Sequence, residues 1–233
     1  MNARLLPPTP ATRRAFVASS TIVALTAAFL TSRYADLPDI LPVHFTRYGF
    51  PDGWQFRTYA RVMVPVFVQL ALALTLLPVG ALLLSRPHGD RDRDLPDVQA
   101  ATTAAEAIAL IALIWIAFQG YAAVALAAMW QRQRSGLGLA YTVLEVSGIV
   151  LTVVICARAN GRLGRPAPRP FVESHWRLGQ LYNNPADPAL FVPTRDGSRW
   201  TLNFGRPVAA ALVGLILLVG IVGPAAILRL MLR

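Results

Sequence analysis

Five stretches of this chain are apolar over about the 20 residues that a helix needs to cross a bilayer. They are 15–32, 62–85, 101–130, 137–157 and 208–228, and arginines bound most of their ends. Hydrocarbon offers no hydrogen-bond partner to a peptide group, so each run is predicted to be a helix. The third run is longer than the hydrocarbon layer requires and is expected to tilt or protrude. Hydrophobic residues make up 55% of the 233 and charged residues 15%, where a soluble domain carries about a quarter charged. That balance excludes a disordered chain, a disulfide-rich secreted domain and a soluble nucleic-acid binder. The prediction is an all-α membrane protein with five transmembrane helices and a small cytoplasmic β-hairpin module.

The 22 basic residues are all arginine and exceed the 12 acidic ones, for a net charge of +10. They cluster where apolar runs end, and anionic lipid headgroups attract each by about 1 kcal/mol. The lipid bilayer is therefore the expected partner, and nucleic acid is not. With the N-terminus in the cytoplasm, 14 arginines fall inside and 8 outside. This favours N-in and C-out. Thr12-Arg13-Arg14-Ala15-Phe16-Val17 is similar to a twin-arginine export signal. Arg33 interrupts the small residues a cleavage site would need, so the run is read as a retained helix. Cys156, the one cysteine, is expected to be a small buried hydrophobe. Pro65, Pro78 and Pro224 fall within runs and predict kinks. Ala123 with Ala127, and Ala210 with Gly214, have the spacing that lets membrane helices approach closely.

The chain is predicted to divide into an N-terminus (1–14), a four-helix membrane region with a structured loop at 33–61 (15–157), a cytoplasmic linker and hairpin module (158–206), and a fifth helix with the C-terminus (207–233). In the first loop, Leu37-Pro38-Asp39 and Phe50-Pro51-Asp52-Gly53 are turn formers. Phe45, Tyr48, Phe50, Trp54 and Tyr59 suit a membrane interface. Asp39, His44 and Asp52 are able metal ligands, but they are scattered, so turn capping by the acids is the preferred reading and no metal is assigned. A ligand held here would meet an aromatic surface with few polar groups, which suits an apolar peptide or a lipid. Pro38-Asp39-Ile40-Leu41-Pro42-Val43-His44-Phe45, followed by Gly49-Phe50-Pro51-Asp52-Gly53-Trp54, resembles a domain of unknown function in bacterial multi-span membrane proteins. That domain also occurs in the immunity protein against a sporulation-delaying toxin. The resemblance implies a membrane-embedded binding, immunity or signalling role. The family commonly has asparagine where this chain has Thr46.

The segment from Arg158 to Pro170 is rich in Arg, Pro and Gly and reads as a linker over the lipid surface. Beyond it, Asn184-Pro185 and Asp187-Pro188 are turn signals. Asp196-Gly197 separates two short strand-like runs and predicts a hairpin. Trp200, Leu202 and Phe204 should share one face, with Thr201 and Asn203 on the other. A lone hairpin is barely stable in water, so its apolar face must rest on helix ends or headgroups. Pro207 suits the first turn of the last helix. Tyr182-Asn183-Asn184-Pro185-Ala186-Asp187-Pro188 and Trp200-Thr201-Leu202-Asn203-Phe204-Gly205-Arg206-Pro207 resemble a short module, also of unknown function, in bacterial membrane proteins. As a docking surface it would use Tyr182, Asn184, Trp200 and Asn203; otherwise it is a lid that fixes the last helix.

Glu145 lies inside the fourth run, where a charge costs about 2.5–3.5 kcal/mol. It should face the bundle, with Gln119 or Gln69 as a hydrogen-bond partner. Glu106, near the start of the third run, could reach cytoplasmic arginines. No Walker loop, Gly-x-Ser-x-Gly or His-Glu-x-x-His is present, so no enzyme activity and no cofactor are expected. The Asp90-Arg91-Asp92-Arg93-Asp94 run reads as a solvated loop with His88 beside it. The functional expectation is a membrane binding, immunity-type or signalling protein with a peptide or protein partner. Asp39, His44, Phe45, Asp52 and Trp54 would make the contact. The alternative is a small proton- or cation-coupled transporter using Glu145, which would have to be a homo-oligomer because five spans are few for a transport path.

Overall fold

The computed structural model describes residues 6–84, 95–163 and 170–232, and their side chains except those of 95–97, 219–228 and 230–232. His88 and the charged run beside it lie outside the described residues, as does the side chain of Pro224. The described part of the chain forms six α-helices, α1 (Pro10–Arg33), α2 (Tyr59–Val62), α3 (Val64–Leu84), α4 (Leu95–Trp130), α5 (Leu139–Leu163) and α6 (Pro207–Leu232). It adds three antiparallel strand pairs, β1 (Ile40–Phe45) with β2 (Pro51–Phe56), β3 (Trp176–Arg177) with β4 (Leu181–Tyr182), and β5 (Phe191–Pro193) with β6 (Trp200–Leu202). Among the described residues, four helices are long and apolar enough to cross a membrane: α1, α3, α4 and α5. The described apolar part of α6, Pro207–Leu218, is shorter than a crossing.

α4 is the axis. Its 36 residues reach about 54 Å at 1.5 Å per residue, well beyond a hydrocarbon layer of about 30 Å. Nine of its alanines are buried. Side chains this small let α1, α3 and α5 pack directly on it. Ala123 and Ala127, fully enclosed, sit against Leu30, Val62, Met63 and Val66, so the small-residue pair read from the sequence marks a close contact. The second pair does not. A Cβ added to Gly214 would meet nothing within 4 Å and Ala210 is exposed; Ala209 and Leu212 make the buried contact instead.

Local chemistry sets the helix ends. Thr9 caps α1 by accepting from the Thr12 N–H at 3.1 Å, and Pro10 opens the helix. The Thr9 hydroxyl also donates to Glu106 on α4 at 2.6 Å, and Glu106 accepts from Arg162 near the end of α5 at 2.9 Å. One carboxylate thus ties three helices at one end of the bundle. Pro65 does not kink a helix. It stands at the second position of α3, just after the chain turns at Met63, where a missing N–H costs nothing. Pro78 is inside α3. α5 continues to Leu163, so the first part of the expected linker is helical, and Cys156 on it is exposed rather than buried.

The buried polar groups of the bundle lie between α1, α3 and α4. Gln69, fully enclosed, donates to the Ile116 carbonyl at 2.9 Å and to the Thr26 hydroxyl at 3.2 Å. Gly120 makes the room: a Cβ there would stand 3.3 Å from the Thr26 hydroxyl and 3.2 Å from Ile22. Gly120→Val should therefore lower the melting temperature in detergent, by the 1–3 kcal/mol typical of overpacking. Gln69→Leu, which removes the hydrogen bonds without adding bulk, should cost only about 1 kcal/mol. Thermal unfolding followed by circular dichroism checks both.

Candidate functional site

The loop after α1 folds into a hairpin clamped to the bundle from three sides. Arg57, which follows β2, donates to the carbonyls of Tyr34, at 2.9 Å, and Leu37, and lies against the Tyr34 ring. Trp130, at the end of α4, donates its indole N–H to the Pro42 carbonyl at 2.9 Å. The Leu137 N–H donates to the Gly49 carbonyl at 3.1 Å, fixing the hairpin turn to the α4–α5 connection. Gly49 has φ +78°, a conformation glycine adopts without strain. Leu41 is fully buried beside Leu30, Leu37 and Trp130.

The pairing Ile40↔Phe56 and Pro42↔Trp54, with an irregularity before His44↔Gly53, controls what the other side presents. Ile40 is 55% exposed, Trp54 59% and Phe56 72%. Such an uncovered apolar side is the reverse of the usual hairpin, which turns its apolar residues to the core. Near the turn, His44 Nδ1 is hydrogen-bonded to the Asp52 carboxylate. Gly53 opposite His44 admits no side chain, since a Cβ would stand 2.8 Å from the His44 Cβ.

The expected contact residues divide between these roles. Phe45 is half-buried and packs beside Leu137. Trp54 is on the open side. Asp39 lies at the far end of β1, 3.3 Å from Arg57, while Asp52 is engaged by His44. Five residues of extended chain, about 17 Å, separate Asp39 from His44, so the three able ligands do not converge. Among the described residues, no group of three or more His, Cys, Asp or Glu could hold a metal ion.

At the opposite end of the bundle, β3 to β6 form a small module whose centre is Asn203. Its side-chain amide donates to the carbonyls of Asn184 at 2.9 Å and of Asp187 and Ala189 at 3.1 Å. Its oxygen accepts from the backbone N–H groups of Asn184, at 3.1 Å, and Gly205, at 3.0 Å. Gly205 passes so close that a Cβ would stand 2.5 Å from the Asn184 carbonyl carbon. One side chain therefore joins the Asn-Pro-x-Asp-Pro turns to the strand that leads into α6. Asn203 does not lie on an open face opposite the apolar one; it is fully buried. Leu190, with Phe191 and Leu202 beside it, rests on Leu83, Leu84, Ala101 and Ala105, the ends of α3 and α4. The apolar face of the predicted hairpin thus does settle on helix ends. Tyr182 donates to Asp187 at 3.0 Å and Trp200 to the Leu163 carbonyl at 3.3 Å, while the Asn184 side-chain oxygen accepts from Ala186 at 3.0 Å.

The β5–β6 connection carries Asp196-Gly197 as expected, with Gly197 at φ +66°. Hydrogen bonds from the Ser198 and Thr194 hydroxyls hold the Asp196 carboxyl down to about 2. The β3–β4 hairpin escaped sequence reasoning because its turn places Leu178 (φ +50°) beside Gly179 (φ +72°). Leucine is a poor choice for that conformation, and the Leu-Gly pair carries no turn signal.

Glu145 lies on the α4-facing side of α5, between Tyr141, which meets Phe118, and Gly148, which meets Trp115. It is half-buried and, among the described residues, makes no hydrogen bond or ion pair. Gln69 is not its partner, being committed to α1 and α4; Gln119 is half-buried. Glu106 does reach an arginine, as its place near the start of the third run led one to expect: it forms an interhelical salt bridge with Arg162.

Two segments match family models. Residues 21–68, covering the second half of α1, the first hairpin and the start of α3, match a domain of unknown function, DUF1648. Residues 185–209, the Asn203 region, match a family of unknown function, DUF5808. No curated protein and no solved structure matches the chain. The apolar helices and the two segments together fit a multi-span membrane protein, and no catalytic family is indicated.

Two outcomes test this account of the module. Asn203→Ala should destabilise it by about 3 kcal/mol or more, since several buried backbone groups lose their partner at once. Hydrogen exchange at Asn184 and Gly205 should rise sharply while α1, α3 and α4 stay protected. The Asp196 value lies below that of an unfolded aspartate. Its contribution is thus fully present above the ordinary carboxylate range and lost as pH falls toward about 2. A carboxyl NMR titration should find that midpoint, and Ser198→Ala should raise it toward the usual range.

Proposed function

We propose that this chain is a membrane-embedded binding protein of the immunity or signalling type, and that it takes an apolar peptide on the open side of the first hairpin. The reading carries a five-span topology with it: N-terminus and Asn203 module in the cytoplasm, hairpin on the outer face of a bacterial inner membrane. α6 favours the fifth span, since it starts beside the ends of α3 and α4 and also contacts α2 at the hairpin end. Arginine counting favours the orientation.

The observation that carries the proposal is the outward Ile40–Trp54–Phe56 side of a hairpin whose position is fixed by Arg57, Trp130 and Leu137. An aromatic surface on a slack loop would lose its binding energy to ordering. A clamped one has met that cost during folding. Tryptophan and other aromatic side chains are favoured where binding energy concentrates. His44 and Asp52, on the same hairpin, add a polar group that orients a ligand. The resemblance to an immunity-protein domain points the same way.

The test is protection of a susceptible bacterium from a panel of apolar membrane-active peptides. Expression of the protein should raise survival against at least one of them. Trp54→Ser combined with Phe56→Ser should abolish that protection while the protein still accumulates in the membrane. Protection that persists in the double variant, or that never occurs with the parent chain, refutes the reading.

A further inference from the structure

A second feature at the hairpin end is independent of the peptide reading. Between the hairpin turn and the α4–α5 connection lies an open groove of about 780 Å³. Its walls carry Arg47 and Arg134, and no acidic side chain lines it. The two other hairpin-end arginines near β2 are committed to structure: Arg57 binds the Tyr34 and Leu37 carbonyls and Arg61 the Phe56 carbonyl. Arg47 is steadied on the Tyr48 ring, 4.6 Å from its centroid, and donates to the Tyr48 hydroxyl. A guanidinium has five N–H donors, so most of those on Arg47 remain for a ligand. Arg134 is exposed, and neither arginine has a carboxylate partner among the described residues.

The groove is built rather than incidental. Leu137 is bonded to the Gly49 carbonyl, and a Cβ on Gly136 would stand 2.8 Å from that same oxygen, so the two loops meet backbone to backbone. Its floor is the start of α5, where Leu139 is 80% exposed. From there Val143, Val146, Val150 and Val153, all exposed, follow at helical spacing down one side of α5. From Leu139 to Val153 this strip runs about 21 Å, longer than the roughly 15 Å of hydrocarbon in one leaflet. Two uncommitted cations therefore stand directly beyond the end of an uncovered apolar strip.

We propose that this groove binds one anionic phospholipid, its phosphate between Arg47 and Arg134 and an acyl chain along the Leu139–Val153 strip. The charge of the groove requires an anion. The apolar floor running on into the hydrocarbon layer selects a lipid over a soluble anion, which would leave the strip unused.

The experiment uses the full chain reconstituted in liposomes of dioleoyl phosphatidylglycerol and dioleoyl phosphatidylcholine in equal parts. Gentle extraction and native mass spectrometry then count the retained lipids. The protein should keep one phosphatidylglycerol in preference to phosphatidylcholine. Arg47→Gln with Arg134→Gln should abolish the preference, at about fivefold per arginine. Arg33→Gln with Arg132→Gln, a pair that shares a neighbouring concavity with Asp36, should leave it intact. If the first double variant fails to accumulate, Arg134→Gln alone should still lose about fivefold. No preference in the parent chain, or an equal loss in the control pair, overturns the proposal. So does displacement of the lipid by excess inorganic phosphate, which would mark an ion site only.

Discussion

Everything in this protein leans on α4, and α4 can bear it because its surface is alanine. In lipid the hydrophobic effect gives helices no reason to associate, so close backbone approach and its dispersion contacts must do so. Nine buried alanines and Gly120 let α1, α3 and α5 come against the same helix. The excess length of α4 is used at both ends. Its first turns carry Ala101 and Ala105 beneath the Asn203 module, and its last residue, Trp130, holds the first hairpin. One helix thereby sets the position of both the first hairpin and the Asn203 module.

Those parts are built on opposite principles. The module is tied together from within: Asn203 is turned inward and satisfies backbone groups of irregular turns. Buried amide networks of this kind are costly to break and define one arrangement. The segment that matches a family of unknown function, residues 185–209, contains Asn203 and, save for Asn184, the turns that it joins. The first hairpin is fastened by Arg57, Trp130 and the Leu137 N–H and leaves aromatic side chains uncovered.

Much of the candidate site was legible as composition. The aromatics of the first loop, the turn residues around Asp52-Gly53 and the Asp196-Gly197 hairpin could all be read directly. Roles were another matter. Asn203 alternates with apolar neighbours as an outward strand residue would, yet β6 ends at Leu202 and the chain turns it inward. Glu145, a charge in an apolar run, faces α4 but makes no ion pair among the described residues, and Glu106, nearer the helix end, reaches an arginine as its position suggested. Which acid meets an arginine depends on where α5 ends, and its helix runs past the apolar stretch to include Arg162.

The sequence by itself pointed to a multi-pass membrane protein, because its apolar runs are long enough to cross a bilayer, and four of them form such helices among the described residues. It also determined where turns fall, since proline, glycine and Asp-Gly act through local backbone sterics. Only the tertiary structure decided which side of each element is covered. That choice rests on contacts between residues far apart in the chain, such as Gln69 with Thr26, Trp130 with Pro42 and Asn203 with Asn184. Local rules carry no information about such partners, because the energy that selects them appears only when helices have met.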